Sequence, residues 1–209
     1  APGEIIFVSS NGHGLGLFKR KKQCCTETCS VIISRQIASV LKGLIPLSEE
    51  ELTIKVGSDW SEISFEDYEI SFRNVEGRYP NWRAVVPKSN NLELKTDTKL
   101  LLGAIKRTSV FSSKVSCLIK LSVRYDKLVV SAQDLDYSTS AEETIPVEFG
   151  EREFIIGVKA TLIQDMLSGS DDDRSILSFA TPSTAILIAP ENQSGNEELT
   201  YLLMPMTIP

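Results

Sequence analysis

The sequence predicts an α+β fold in which one pattern of elements recurs along the chain. Each repeat reads as an apolar strand, an amphipathic helix and three further strands. The predicted helices begin near residues 35, 98 and 160, so the repeat is about 62 residues long. A chain of 209 residues that is 42% hydrophobic and 24% charged can bury a sizeable core in one or two domains.

A hairpin is predicted ahead of the first complete repeat. Two apolar runs, residues 4–9 and 15–18, flank Asn11 and Gly12. Both of these residues tolerate positive φ, which favours a tight turn between antiparallel strands. We expect this hairpin to be the tail of an earlier unit, and we expect the chain to be a fragment of a longer protein.

The first predicted helix spans residues 35–42 and has apolar side chains at helical spacing. Ser34 is predicted to cap its amino end, and Gly43 is predicted to terminate it. The strands of this repeat are predicted at residues 31–33, 52–56, 62–65 and 68–72.

The second and third repeats follow the same order. Asp97 is predicted to cap a helix over residues 98–108, and Gly169 is predicted to follow a helix over residues 160–168. Their strands are predicted at residues 92–94, 115–123, 128–132, 144–148, 154–156, 176–180, 184–188 and 201–204.

The segment 74–91 interrupts the repeat and contains Gly77, Pro80 and Pro87, which is typical of a linker. The repeats therefore predict an incomplete domain at residues 1–78, a linker at 79–91 and a complete domain at 92–209.

Positive charge is concentrated on two helices, although the net charge of −6 argues against a uniformly basic nucleic-acid binder. Arg35 and Lys42 lie on the polar face of the first helix, and Lys99 and Lys106 have the same spacing on the second. This asymmetry is typical of a surface that contacts a polyanion on one side through phosphates, without sequence choice. Ordinary solvated lysines are the alternative, which the third helix favours, because its outward positions are not basic.

Composition excludes several classes of function. The apolar runs are far shorter than the roughly 20 residues that span a bilayer. His13 is the single histidine, no glycine-rich phosphate loop precedes a helix, and no cofactor is expected. We therefore predict that the chain is not an enzyme.

The cysteines do not have the spacing of a zinc site or a disulfide framework. Cys24, Cys25, Cys29 and Cys117 are interpreted as reduced thiols of a cytoplasmic protein. A zinc site built from the first three with His13 is the disfavoured alternative. The acidic run 171–173 is interpreted as a solvated loop because it lacks spaced oxygen ligands, so no metal site is predicted.

Three segments together resemble a known family, the bacterial replicative sliding clamp, which is the beta subunit of DNA polymerase III. They are residues 10–13 with Leu15, residues 77–83 and residues 202–206. The resemblance covers essentially the whole chain and corresponds to the second half of the family's middle domain plus its entire third domain.

The resemblance implies a DNA-clamp fold, in which the repeated units place helices on one face of antiparallel sheets. It implies a processivity factor, a homodimeric ring in the full-length protein, that encircles duplex DNA and tethers the polymerase III catalytic subunit, the clamp loader and other motif-bearing partners. Arg35 matches a basic inner-wall position of the family. Lys42, Lys99, Lys106 and Arg107 are assigned to the DNA-facing wall from helix geometry alone.

The family also implies a partner-peptide pocket between its middle and third domains. The corresponding residues are Ser10, Gly12, His13, Leu15, Pro80, Val85, Leu202, Leu203, Met204, Pro205 and Met206. Gly14, Ala84 and Thr207 depart from the family pattern, in which arginines are common, so polar contacts at the rim are expected to differ.

A ring-closing contact is implied for Val110 and Phe111 at the end of the second helix. Burial of Phe111 in the core is the alternative. At the level of function, the alternative is a peptide-binding adaptor that does not contact DNA.

Overall fold

The computed structural model describes residues 3–21, 27–45, 51–150 and 153–208. The chain forms two compact units. The first comprises Ala1–Gly3 and Gln23–Asn81, and the second comprises Glu4–Lys22 and Trp82–Pro209.

The described residues form an α+β fold with the following elements in chain order. They are β1 (Glu4–Ser10), β2 (Gly14–Lys21), α1 (Arg35–Leu44), β3 (Thr53–Val56), β4 (Trp60–Phe65), β5 (Tyr68–Arg73), a 3₁₀ turn (Trp82–Ala84), β6 (Leu92–Asp97), α2 (Thr98–Ser109), β7 (Leu118–Arg124), β8 (Lys127–Asp134), β9 (Thr139–Pro146), β10 (Phe154–Lys159), α3 (Ala160–Ser168), β11 (Arg174–Phe179), β12 (Ile186–Pro190) and β13 (Glu197–Leu203).

The first unit contains α1 and an antiparallel sheet in the order β3-β4-β5. Among the residues described for this unit, the buried core is small and consists of Leu41, Ile63, Phe65 and Phe72. The Ser34 side chain accepts a hydrogen bond from the Ile37 amide, as the sequence predicts for an N-cap.

The second unit contains two antiparallel sheets, α2 and α3. Six strands follow the order β1-β2-β13-β12-β11-β6, and four follow the order β10-β7-β8-β9. α2 packs against β8, β9 and α3, and its buried residues, including Leu101 and Ile105, join one large apolar core. The Asp97 side chain caps α2 by accepting from the Leu100 amide at 2.7 Å.

The opening hairpin is grouped in space with the second unit, because β2 pairs antiparallel with β13 and Leu15 lies opposite Leu202. Contacts thus divide the chain differently from the sequence repeats, which place residues 1–78 together. The domain boundaries inferred from the repeats, at residues 78 and 92, therefore stay a prediction.

Two local predictions are wrong. Residues 31–33 form no strand; instead Val31 and Ile33 pack half-buried against the first core, and the Ile32 carbonyl accepts one hydrogen bond from Val75. Gly43 does not end α1, which continues to Leu44 and has Ile45 as its C-cap in right-handed conformation. Glycine ends a helix when it adopts positive φ, and Gly43 is not among the positive-φ glycines of the described chain.

Two strand boundaries also differ from the sequence prediction. β7 begins at Leu118 because residues 113–117 form a turn that ends at Cys117, whose φ is 50°. β9 begins at Thr139, because it pairs with β8 along its whole length.

Candidate functional site

The turn between β1 and β2 is fixed by its own polar groups. The Asn11 side-chain oxygen accepts hydrogen bonds from the amides of His13 at 3.0 Å and Gly14 at 2.8 Å. The Ser10 hydroxyl donates to the Gly14 carbonyl at 3.1 Å, and Gly12 has a φ of 85°, which glycine adopts without strain. The turn therefore presents Ser10, Gly12 and His13 on an exposed surface.

The carboxyl-terminal segment continues β13 onto this turn. Leu202 pairs with Leu15 and Leu203 pairs with Gly14, and the Met204 amide then donates to the His13 carbonyl at 2.9 Å. The structure thus brings together two segments that are far apart in the sequence, residues 10–15 and 202–206, both of which were predicted to line one pocket.

The two faces of β13 have different environments. Leu202 packs with Leu15, Leu17 and Ala185 in a small apolar cluster, whereas the Leu203 side chain is 0% exposed in the main core. The prediction that Leu203 lines the pocket therefore does not hold for its side chain, because adjacent strand residues point to opposite faces. Met204 is 42% exposed.

The segment after residue 81 covers the small cluster. Trp82 and Val86 pack against it, while Val85 is 55% exposed and lies beside them. The Arg83 guanidinium stacks over the Trp82 ring at 4.2 Å from its centroid. Pro80 is exposed and belongs to the first unit.

A groove of about 300 Å³ lies along residues 206–208, beyond Pro205. Met206, which is half-buried, lies in its wall, and its amide donates to the Gly157 carbonyl at 2.8 Å. A Cβ on Gly157 would come within 2.6 Å of the Met206 carbonyl oxygen. The lining residues are Ile156, Gly157, Pro182, Ser183, Met206, Thr207 and Ile208.

Most of these groove residues were missed by sequence reasoning, because they come from three separated segments. One signal was available. Gly157 directly follows the predicted strand 154–156 and lies within β10, and a glycine in a strand often marks the close approach of another backbone.

The five predicted DNA-facing residues are all exposed. Arg35 and Lys42 lie on α1, and Lys99, Lys106 and Arg107 lie on α2. Within the described part of the chain, Lys99 and Arg107 form ion pairs, whereas the other three form none.

The two ion pairs of α2 involve carboxylates of neighbouring elements. The Lys99 Nζ lies 2.7 Å from Asp173 Oδ1, and this hydrogen bond raises the pKa of Lys99. Arg107 donates from Nε at 2.9 Å and Nη2 at 2.6 Å to Glu143. The same pair of hydrogen bonds raises the pKa of Arg107 and lowers the pKa of Glu143.

Val110 and Phe111 follow α2 and are 75% and 41% exposed. The alternative that Phe111 is a core residue is therefore wrong. α2 packs against β9, which is an edge strand of the four-stranded sheet. Val110 and Phe111 thus form an exposed apolar pair at the end of α2, and whether they contact another chain stays a prediction.

Residues considered for metal binding have other roles or lie outside the described chain. Cys24 and Cys25 fall outside the described residues, while Cys29 and Cys117 are free thiols. Burial opposes ionisation of Asp172, but hydrogen bonds from the backbone of Asn192 and Arg174 lower its pKa overall. Across residues 3–21, 27–45, 51–150 and 153–208, no three His, Cys, Asp or Glu side chains are grouped to hold a metal ion.

The helices of the described chain are too short or too polar to cross a membrane.

Comparison with known proteins places this geometry in a family. The sequence profile described as "DNA polymerase III beta subunit, C-terminal domain" matches residues 83–207. The beta sliding clamps of Salmonella typhimurium LT2 and Escherichia coli K12 are each 24% identical to the chain over 207 residues, covering 98% of it and 55% of their own length. The chain thus spans about half the length of these curated relatives.

Solved structures share the fold. A DNA polymerase sliding clamp from Pseudomonas aeruginosa with ligand superposes with a TM-score of 0.92 at 20% identity, covering 100% of this chain and 56% of that one. A beta sliding clamp from C. crescentus gives a TM-score of 0.90 at 21% identity, covering 98% and 54%. The predicted clamp fold, an α+β fold with antiparallel sheets, is confirmed.

Proposed function

This chain belongs to the family of the DNA polymerase III beta subunit, C-terminal domain, and from that premise we propose that it is part of a sliding clamp. The clamp is a non-catalytic processivity factor of the cytoplasm that encircles duplex DNA and tethers partner proteins. Enclosure of the duplex prevents dissociation, while weak phosphate contacts permit sliding.

The observation that carries the proposal is the site assembled by the β1-β2 turn and the terminal segment. Leu15 and Leu202 are buried together in an apolar cluster. Met204 follows Leu203 and is exposed, and its amide donates a hydrogen bond to the His13 carbonyl. Burying two apolar anchors of a peptide contributes roughly 1.5 to 3 kcal/mol each. Hydrogen bonds between the peptide and the protein backbone bring the free energy of binding toward about −8 kcal/mol, which corresponds to micromolar affinity.

The proposed partners are the polymerase III catalytic subunit, the clamp loader and other proteins with a clamp-binding motif. Flexible Met204 and Met206 side chains suit a site that accepts several peptides. The separate groove lined by Met206 and Ile208 offers room for a second anchor.

A peptide with a Gln-Leu-x-Leu-Phe motif tests this site by calorimetric titration. Met204→Ala should weaken binding about five- to thirtyfold, because an exposed anchor contact worth roughly 1 to 2 kcal/mol is removed. Leu135→Ala is the matched control, since Leu135 is 75% exposed on a turn that the site does not include. Equal affinity of all three proteins for the peptide would remove Met204 from the site.

For ring closure, we propose that the exposed pair Val110 and Phe111 contacts the other subunit of a homodimer. In a subunit that also carries the first domain of the family, Phe111→Ser should weaken dimerisation in sedimentation experiments. Val115→Ser is the control, because Val115 is 94% exposed and its loss should not affect the dimer.

One observation favours the adaptor alternative, in which the chain binds peptides without contacting DNA. Lys99 and Arg107 are already paired with carboxylates, as expected for an ordinary solvated surface. Lys106→Ala separates the two functions, because loss of an unpaired cation should weaken binding to duplex DNA only in the clamp. Unchanged DNA binding would favour the adaptor.

A further inference from the structure

α2 carries three basic side chains, and two of them are held in ion pairs. Lys99 near the amino end is held by Asp173, and Arg107 near the carboxyl end is held by Glu143. Lys106, between them on the exposed side of the helix, has no ion pair in the described chain. The helix therefore carries three cations but offers one that is free of a carboxylate.

The Arg107 pair is built into the helix. Its guanidinium folds back over Gly103, where a Cβ would lie only 3.0 Å from Nη1. Glycine destabilises a helix interior relative to alanine. At position 103 the missing side chain leaves space that the Arg107 guanidinium fills. The bidentate contact with Glu143 uses the same planar fork that binds a phosphate.

Both cations are exposed to solvent, and Asp173 is exposed as well, whereas the Glu143 side chain is half-buried at 29% exposure. The side chains of Lys99 and Asp173 are 84% and 74% exposed, and that of Arg107 is 62% exposed. Exposed ion pairs are weak and screened by salt, whereas duplex DNA presents a dense row of phosphates. A carboxylate and a phosphate cannot occupy one guanidinium fork at the same time.

We propose that Asp173 and Glu143 are intramolecular competitors of DNA phosphates and set how many cations of α2 grip the duplex. This inference rests on the proposed DNA-encircling function. Lys106 contacts a DNA phosphate at all times. Lys99 and Arg107 alternate between their carboxylate partners and the DNA phosphates. A weak and adjustable grip suits a protein that must slide along the duplex.

The test is binding of a short fluorescent duplex of mixed sequence, measured between about 50 and 200 mM salt. Asp173→Asn and Glu143→Gln remove the competitors. Asp171→Asn and Glu142→Gln are matched controls, because each removes one negative charge from the same loop or strand, and neither carboxylate pairs with a cation in the described chain.

Asp173→Asn and Glu143→Gln should each tighten binding roughly three- to tenfold and steepen the dependence of log K on log salt by up to about 0.9, the increment for one added phosphate contact. The controls should change affinity less than twofold, with an unchanged slope. Equal effects of the competitor and control variants would overturn the inference, because only net charge would then matter.

Lys106→Ala distinguishes this failure from failure of the proposed function. If Lys106→Ala weakens binding while the competitor variants behave like their controls, the competition is absent but the DNA-binding face stands. If neither Lys106→Ala nor any competitor variant changes binding, α2 does not face the duplex, and both proposals fail.

Discussion

α1 and α2 follow nearly the same sequence pattern but lie in very different environments. Both begin after a capping side chain, and both carry basic residues seven positions apart. Among the described residues, α1 buries Leu41 alone, whereas α2 buries five residues that include Leu101 and Ile105. The basic side chains differ as well, because two of those on α2 are paired with carboxylates.

The difference shows what a helical pattern determines and what it leaves open. Periodicity and caps specify that a helix forms and which side is polar. The depth of burial and the partners of exposed charges depend on the strands packed around the helix, which the helix sequence does not contain.

The largest contrast is expected from truncating a buried leucine in each helix. Leu101→Ala should lower the free energy of unfolding by about 3 to 4 kcal/mol, since Leu101 is 0% exposed in the large core. Leu41→Ala should cost about 2 kcal/mol, because its small cluster can relax around the lost atoms. Urea denaturation measures both, with Trp60 and Trp82 as fluorescent reporters in the first and second unit.

Leu100→Ala is the control for the first contrast, because Leu100 precedes Leu101 and is 37% exposed. Its cost should stay below about 0.5 kcal/mol. Equal costs for Leu101 and Leu41 would mean that α1 is buried as deeply as α2.

Removal of the caps is expected to have a smaller effect. Asp97 accepts from Leu100 N at 2.7 Å, and Ser34 accepts from Ile37 N at 3.3 Å. Asp97→Ala should cost about 1 kcal/mol, with a further contribution from the negative charge beside the positive end of the helix dipole. Ser34→Ala should cost about half as much. Thermal unfolding measures both, and Asp97→Asn, which keeps the acceptor, should restore most of the loss.

The smallest effect concerns the ion pairs that only α2 possesses. The hydrogen bonds with Arg107 hold the pKa of Glu143 below its ordinary value of 4.5, so the pair stabilises the folded state above that pH. This stabilisation is lost as pH falls through the lower folded pKa. Glu143→Gln should therefore lower the melting temperature slightly at pH 6, with the difference disappearing toward pH 3.

A matched experiment on α1 checks the source of this pH dependence. Arg35 has no ion pair in the described chain, so Arg35→Gln should give the same melting difference at both pH values. A pH-dependent difference for Arg35→Gln would point to a carboxylate partner on α1.

The elements that sequence reasoning placed correctly are those with local determinants. The helices at 98 and 160 and the caps Ser34 and Asp97 follow from apolar spacing and from side chains that reach the first turn. The prediction of a strand at 31–33 was wrong, because apolar residues form a strand only where a neighbouring strand is available for pairing.

The candidate site was predictable only in part. The resemblance identified the β1-β2 turn and the terminal segment, and the structure joins them through His13 and Met204. It did not identify the wall contributed by Gly157, Pro182 and Ser183, because that wall exists only once the terminal segment lies against β10. The carboxylates paired with Lys99 and Arg107 were missed for the same reason.

The pairing of β2 with β13 has a consequence for how the chain folds. Lys19 and Glu198, joined by a salt bridge across these strands, are 179 positions apart in sequence. During synthesis β2 leaves the ribosome long before its partner strand, so its edge stays unpaired until β13 has been made. Contacts between such distant residues slow folding, and the waiting edge is the place where premature association with another nascent chain would start.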